Sequence, residues 1–209
     1  LNSAGVEVYF QVFDILPITN PQWFSAATKD NHWEWAEVVA NSRGALCISK
    51  TVADEFKLWM KELDCHLLTA DNVRSFHLGA DIETSSPSLG LPDNSVEVLQ
   101  RLKSAPSFLM VGTVEPRKGH LQTLDAFEQL WKRDMGINLV IVGKAGWLVD
   151  DLVNRLCEHE EKNCRLFWLE GISDEYLEKV YAASTCLVAP SEGEGFGLPL
   201  IEAAQHKLP

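Results

Sequence analysis

The chain has 209 residues, of which 46% are hydrophobic and 23% are charged, and its formal net charge is −12. The apolar share is that of an ordinary globular protein and argues against intrinsic disorder. An acidic chain is a poor candidate for nucleic-acid binding, which draws much of its affinity from phosphate contacts, so we expect no nucleic-acid partner. The sequence contains no apolar run of about 18 residues. Its cysteines and histidines lack metal-ligand spacing, which argues against a metal site.

The first eighty residues carry alternating strand and helix patterns. Apolar and polar side chains alternate from Val6 to Val12, which predicts a strand. Ser49 is placed to cap a helix. The other elements predicted here are helices at 33–41 and 50–61 and strands at 45–48 and 73–78.

Turn-forming residues are concentrated between residues 81 and 106. Pro87, Gly90 and Pro92 lie in this stretch, together with a run of serines. Such a composition predicts a linker or an exposed loop. We therefore divide the chain into a domain at 1–80, a linker at 81–106 and a second domain at 107–209.

The second domain alternates strands and helices regularly. Ser173 is placed to cap one helix, and Pro199 suits the first turn of the last one. Strands separated by helices indicate βαβ units in a parallel sheet, and continuous apolar strands indicate a sheet covered on both faces. The fold class is therefore α/β, and ligands of such sheets bind at the carboxyl ends of the strands. The predicted strands are 107–111, 138–142, 165–169 and 185–189, and the predicted helices are 120–134, 148–160 and 174–183.

The loop after the first of these strands, residues 112–119, has the character of an anion site. Glycines at both ends allow close backbone approach to a ligand. Arg117 and Lys118 precede a helix start, where N–H groups and the helix dipole also favour anions. A diphosphate is a suitable ligand, and an exposed basic turn is the alternative. The segment 143–147, which contains Lys144, follows the next strand in the same way but is a weaker signal.

The loop after the last strand carries the strongest motif. Gly193, Gly195 and Gly197 keep the backbone open so that N–H groups can face an anion or a sugar. Glu194 and Glu202 stand eight positions apart, one in the loop and one on the following helix. Each carboxylate can accept two hydroxyl hydrogen bonds, which suits a hexose or a ribose. The alternative is a glycine-rich turn with solvated acids.

Two of these segments resemble a known family. The stretch PSEGEGFGLPLIEA resembles the E-x7-E signature of retaining glycosyltransferases of the GT-B fold, glycosyltransferase family 4, also called group 1. VGTVEPRKGH resembles the donor-phosphate loop of bacterial O-antigen and capsule mannosyltransferases. The resemblance implies two facing Rossmann-like domains, with parallel sheets flanked by helices and a nucleotide sugar between them. It also implies that both domains are incomplete here, with the rear part of the acceptor-side domain at 1–80 and a truncated donor domain at 107–209.

The resemblance also implies roles for individual residues. Lys118, with Arg117 beside it, would neutralise the donor diphosphate, Glu194 would hold hydroxyls of the transferred sugar, and Glu202 would bind the ribose. No metal or other cofactor is implied. The remaining implied donor-binding residues are Gly112, Thr113, Gly143, Lys144, Gly195, Phe196, Gly197 and Leu198, and residues 169–172 would border the base.

The sequence departs from the family pattern at two positions. Many members have an arginine where this chain has Thr113, and many have a His-Asp pair where it has Phe13 and Asp14. We therefore assign no catalytic histidine. The glycine-rich loop that the family carries near the start of its first domain is also missing from the sequence.

These features predict a retaining glycosyltransferase of cell-surface polysaccharide synthesis. It would transfer a hexose to a glycan or a lipid-linked acceptor, and the expected hexose is mannose, supplied by GDP-mannose. Two alternatives remain open at this stage: a nucleotide-sugar epimerase of GT-B type and a non-catalytic nucleotide-sugar-binding module. The expected location is the cytoplasm, at the cytoplasmic face of the inner membrane. Any peripheral membrane association would use parts outside this chain.

Overall fold

A computed structural model describes residues 5–63, 67–79 and 86–209. The chain divides into two units. The first comprises Leu1–Gly79 together with Gly193–Gly197, and the second comprises Ala80–Glu192 together with Leu198–Pro209.

The first unit is built on a parallel sheet whose strand order, within the described residues, is β1-β2-β3. Helices α2 and α3 supply much of its core, with Val39, Phe56 and Trp59 buried. Its elements are β1 (Tyr9–Val12), α1 (Leu16–Thr19), α2 (Ala26–Ala40), β2 (Gly44–Cys47), α3 (Lys50–Met60) and β3 (Val73–Ser75), with 3-10 turns at Pro21–Trp23 and Ala70–Asn72.

Helix α3 begins as the sequence predicts, whereas α2 is longer than predicted. The Ser49 hydroxyl accepts a hydrogen bond from the Val52 N–H at 3.2 Å, which confirms the predicted cap. Helix α2 starts at Ala26 after a similar cap by Ser25. Its first turns are polar and largely exposed, so they carry no apolar period that a sequence pattern could detect.

The second unit is built on a parallel sheet with the order β6-β5-β4-β7 among the described residues. The predicted strands at 107–111 and 138–142 match β4 and β5 at both ends. Its elements are α4 (Ser95–Ser104), β4 (Ser107–Val111), α5 (His120–Trp131), β5 (Asn138–Val142), α6 (Asp150–Glu158), β6 (Leu166–Leu169), α7 (Asp174–Ala183), β7 (Cys186–Leu187) and α8 (Leu198–Gln205), with a 3-10 turn at Pro116–Lys118.

Both faces of this second sheet are covered, as the sequence predicts. Leu139 and Ile141 of β5 pack in a cluster with residues of α5 and α6. Val140 and Val142 point to the opposite face and pack with residues of α4, α7 and α8. Because successive side chains of a strand point to opposite faces, this division explains why every residue of β5 is buried.

The segment predicted as a linker, residues 81–106, contains a helix that the sequence analysis missed. Helix α4 buries Val98 and Leu102 in the core of the second unit. The chain before α4 is also fastened, because the Ser88 N–H and hydroxyl both donate to Asp174 at 2.8 and 2.7 Å. Within the described part of this segment, residues 86–94 are exposed and irregular, as the sequence predicts, whereas residues 95–104 form a helix. The dense turn formers upstream of α4 obscured its short apolar period.

Candidate active site

The second sheet has a topological switch point between β4 and β7. The chain runs from β4 to β5 and β6 on one side of β4 and then places β7 on the other side. In parallel α/β sheets, ligands bind where the loops diverge at such a point. The loops that diverge here are the predicted phosphate loop at 112–119 and the stretch of chain that follows β7 as far as Glu192.

The backbones of the loops after β4 and β5 touch. A Cβ atom added at Gly143 would overlap the carbonyl group of Gly112, so only glycine allows this approach. The two loops are also joined by hydrogen bonds, from the Val114 N–H to the Lys144 carbonyl and from the Gly146 N–H to the Val114 carbonyl, each 2.9 Å. The phosphate loop is therefore held from the side of β5.

Lys118 lies over the end of β4. Its Nζ is 3.7 Å from the place that a Cβ on Gly112 would occupy. The missing side chain of Gly112 thus leaves room for the ammonium group directly above the carboxyl end of the strand. The predicted residues Gly112, Gly143 and Lys118 are brought together, whereas Thr113 is exposed beside them.

Arg117 has a different environment from Lys118. Its Nη2 lies 2.7 Å from Glu115 Oε1, and the Glu115 side chain is only 3% exposed. The carbonyl group of Arg117 accepts a hydrogen bond from the Glu192 N–H at 2.8 Å. A buried carboxylate offsets the charge of Arg117, and the Arg117 carbonyl fixes the loop against the chain after β7.

Gly119 makes the turn into α5. Its φ is +71°, and an added Cβ would lie 2.9 Å from the carbonyl oxygen of Pro190. A residue with a side chain would be both strained and obstructed there. The two loops at the switch point are therefore in contact at Gly119 as well as at Arg117.

His120, the first residue of α5, is buried beside this loop. It is 2% exposed, and neither ring nitrogen has a hydrogen-bond partner among the described residues. Burial, and secondarily the charge of Lys118, lowers the pKa of His120 to about 4. The imidazole is therefore neutral at physiological pH and adds no positive charge to this loop.

Glu202 lies on α8 and is half-buried. Its Oε2 accepts a hydrogen bond from the Tyr181 hydroxyl at 2.7 Å. Leu198, the first residue of the same helix, is 44% exposed.

Glu194, Gly195, Phe196 and Gly197 belong to the segment that groups with the first unit, and all four are half-buried. In that unit a Cβ on Gly195 would overlap the Phe13 carbonyl. The Phe196 ring lies 6.2 Å from the ring of His77, which follows β3. Phe13, at the position where many family members have histidine, is 56% exposed.

Lys144 follows β5, and its side chain reaches the segment after β6. Its Cε is 3.8 Å from the place that a Cβ on Gly171 would occupy, inside the segment expected to border a nucleotide base. The Trp168 Nε1–H donates to the Gly143 carbonyl at 2.8 Å, which holds the second glycine loop from β6.

Sequence reasoning missed four residues that support the site: Glu115, His120, Trp168 and Tyr181. Glu115 and His120 lie next to the motif, but their burial could not be read from the pattern. Trp168 and Tyr181 act through contacts distant in sequence, for which the sequence carries no signal.

In the part of the chain that the structure describes, no group of three or more His, Cys, Asp or Glu side chains could hold a metal ion. None of the described helices has the combined length and apolar character that crossing a bilayer requires.

Comparisons with known proteins agree with this architecture. The family of glycosyl transferases group 1 matches residues 93–209. The serotype-specific mannosyltransferase WbdA of Escherichia coli is 48% identical over 213 residues, which cover 100% of this chain and 26% of WbdA. The O-antigen chain mannosyltransferase B of E. coli is 36% identical over 56% of this chain and 32% of its own length.

Solved structures share the fold. Anabaena HepE in complex with UDP and glucose matches with a TM-score of 0.71 and 20% identity, over 99% of this chain and 52% of HepE. WaaG, a glycosyltransferase involved in lipopolysaccharide biosynthesis, matches with a TM-score of 0.63 and 17% identity, over 96% of this chain and 55% of WaaG.

The chain belongs to the group 1 glycosyltransferase family. Its fold is the parallel α/β type of the GT-B glycosyltransferases, as the sequence motifs predict. The chain spans about a quarter of the length of the WbdA relatives that it matches.

The Gly143→Ala variant tests the contact between the two glycine loops. Because its Cβ would overlap the Gly112 carbonyl, we expect the free energy of unfolding to fall by about 2–3 kcal/mol. Gly136→Ala is the matched control, since an added Cβ meets no atom within 4 Å there and should change stability by less than about 0.5 kcal/mol. Equal unfolding free energies for both variants in urea titrations would contradict the contact.

The buried neutral state of His120 predicts a pH dependence of stability. The unfolded chain protonates this histidine near pH 6.5, whereas the folded protein does so only near pH 4. Stability that is present above pH 6.5 is therefore lost as the pH falls toward 4, by about 2 kcal/mol at pH 5. Urea unfolding at pH 7.5 and 5.0 should show this loss in the wild type and a smaller loss in His120→Leu. Equal losses in the two proteins would refute the buried neutral imidazole.

Proposed function

We propose that the protein is a retaining glycosyltransferase that transfers mannose from GDP-mannose to a glycan or lipid-linked acceptor in O-antigen synthesis. The observation that carries this proposal is the position of Lys118 over Gly112, at the carboxyl end of β4 and at the switch point of the sheet. Mannose as the sugar is supported by the relatives, which are named as mannosyltransferases. GDP as the nucleotide rests on the resemblance to that class.

The chemistry asked of the chain is stabilisation of the leaving group. As the bond between the sugar C1 and the diphosphate oxygen breaks, negative charge grows on the diphosphate. The Lys118 ammonium and the N–H groups at the start of α5 would stabilise that charge. Because these groups supply positive charge themselves, we propose that no metal or other cofactor is needed.

The remaining predicted residues would bind the donor. Glu194 would accept hydrogen bonds from hydroxyls of the hexose, and Glu202 would accept them from the ribose. The backbone at Gly195–Gly197 would face the sugar and phosphate, and Lys144 would lie near the base. Arg117 would act mainly through its ion pair with Glu115, which holds the loop that carries Lys118.

The family relationship favours transfer over the two alternatives. HepE, which shares the fold, was solved in complex with UDP and glucose, which supports a nucleotide-sugar donor for this chain. The close relatives are named as transferases, which does not favour an epimerase or a non-catalytic binding module. We also propose a cytoplasmic location at the inner membrane face, where a donor nucleotide sugar and a lipid-linked acceptor can meet.

Transfer of radiolabelled mannose by the intact protein tests this proposal. Lys118→Ala should lower kcat at least about 100-fold, the usual cost of removing a group that stabilises transition-state charge. Glu194→Ala should also lower transfer strongly. Lys103→Ala, which removes an exposed lysine on α4, is the control and should stay within about threefold of the wild type.

Three outcomes would count against the proposal. Activity within about threefold of the wild type for both Lys118→Ala and Glu194→Ala would refute the assigned site. Release of free epimerised donor without an acceptor would indicate the epimerase. Donor binding without transfer to any acceptor would indicate the binding module.

A further inference from the structure

The hydroxyl of Tyr181 holds the carboxylate of Glu202. The distance between the hydroxyl oxygen and Glu202 Oε2 is 2.7 Å, and Tyr181 is 2% exposed. Tyr181 lies near the end of α7 and Glu202 lies on α8, so the bond joins two helices of the second unit. It is the one hydrogen bond that the described residues make to this carboxylate.

The tyrosine ring is itself fixed. It stacks on the ring of His206, with centroids 4.9 Å apart and planes inclined by 4°. Its other surroundings are the apolar cluster of Val180, Ala183 and Ala203. The hydroxyl therefore has a defined position, unlike that of a surface tyrosine.

The Tyr181 hydroxyl is the hydrogen-bond donor of this pair, because an ionised carboxylate can only accept. Burial, and then the hydrogen bond and the charge of Glu202, raise the pKa of Tyr181 far above its ordinary value. The tyrosine thus fixes one oxygen of the carboxylate and leaves the other, Oε1, available to accept from a ligand.

We propose that Tyr181 is a positioning residue that orients Glu202 toward the ribose hydroxyls of the donor nucleotide, and that His206 holds the tyrosine ring in place. This inference rests on the proposed function, in which Glu202 binds the ribose. A free glutamate side chain has several rotamers, and holding it in one geometry removes an ordering cost from ligand binding.

The α7 helix offers a matched control. Tyr176 is also buried on α7, but its hydroxyl has no hydrogen-bond partner among the described residues. Tyr181→Phe and Tyr176→Phe therefore remove the same atom from similar surroundings, and only Tyr181→Phe breaks the bond to Glu202.

The test compares nucleotides with and without ribose hydroxyls. Binding to the intact protein is measured by calorimetry for GDP and 2′,3′-dideoxy-GDP, and for UDP and 2′,3′-dideoxy-UDP. With the base that binds more tightly, Tyr181→Phe should weaken binding of the ribose nucleotide about five- to tenfold, the scale of the net contribution of a typical hydrogen bond. Binding of the dideoxy nucleotide should not change, and Tyr176→Phe should behave like the wild type.

A second variant separates orientation from the hydroxyl itself. His206→Ala leaves the Tyr181 hydroxyl but removes the stacked ring, so it should produce a smaller loss, again confined to the ribose nucleotide. Thermal unfolding of each variant verifies that it is folded. If Tyr181→Phe does not fold, the test is made with His206→Ala.

The outcomes distinguish this inference from the proposed function. If Tyr181→Phe weakens binding of the ribose and dideoxy nucleotides equally, Tyr181 has a merely structural role and the inference is overturned. Unchanged binding of both nucleotides would also overturn it. If wild-type protein does not prefer ribose, or if Glu202→Gln keeps the full preference, the ribose role of Glu202 fails and the inference fails with it. If neither diphosphate binds, the proposed donor site is wrong.

Discussion

The backbone contact between Gly112 and Gly143 is the constraint on which the rest of the second unit's site depends. Two neighbouring parallel strands end at the same edge of the sheet, and their loops approach until no side chain fits between them. The missing side chain of Gly112 leaves the space in which the Lys118 ammonium lies. The close approach also lets the Val114 N–H donate to the Lys144 carbonyl and the Gly146 N–H donate to the Val114 carbonyl, so backbone hydrogen bonds join the phosphate loop to its neighbour.

The charges around this edge have separate functions. The protein is acidic overall, with a net charge of −12, yet Lys118 lies at the carboxyl end of β4, where we propose that the diphosphate binds. Arg117, the other basic residue of the loop, pairs with a buried glutamate, and the neighbouring His120 is kept neutral by burial. A negative net charge does not prevent anion binding here, because local groups rather than net charge set the potential at a site.

The sequence patterns predicted the second sheet better than its surroundings. Strands β4 and β5 are mostly apolar runs. Pro106 precedes β4, and a glycine directly follows each strand, so the ends of both strands could be predicted to the residue. Helix α4 was hidden by the turn formers before it, and α2 by its polar first turns. The Ser49 and Ser173 caps were predictable because capping depends on only a few neighbouring residues.

The candidate site likewise has residues that the sequence predicted and contacts that it did not. Local motifs placed Gly112, Lys118 and Glu202 at strand ends and on α8. The ion pair of Arg117 with Glu115 and the bond of Tyr181 to Glu202 depend on burial and on helix packing, which no local pattern encodes. The supporting contacts, rather than the motif residues, were thus beyond the reach of the sequence.

Amide hydrogen exchange of the intact protein, with and without saturating nucleoside diphosphate, tests the central claim most directly. If the carboxyl end of β4 is the diphosphate site, exchange should slow in residues 112–122, which include the phosphate loop and the first turn of α5. Unchanged exchange in that segment while the nucleotide is bound would contradict the account, because the diphosphate would then lie elsewhere.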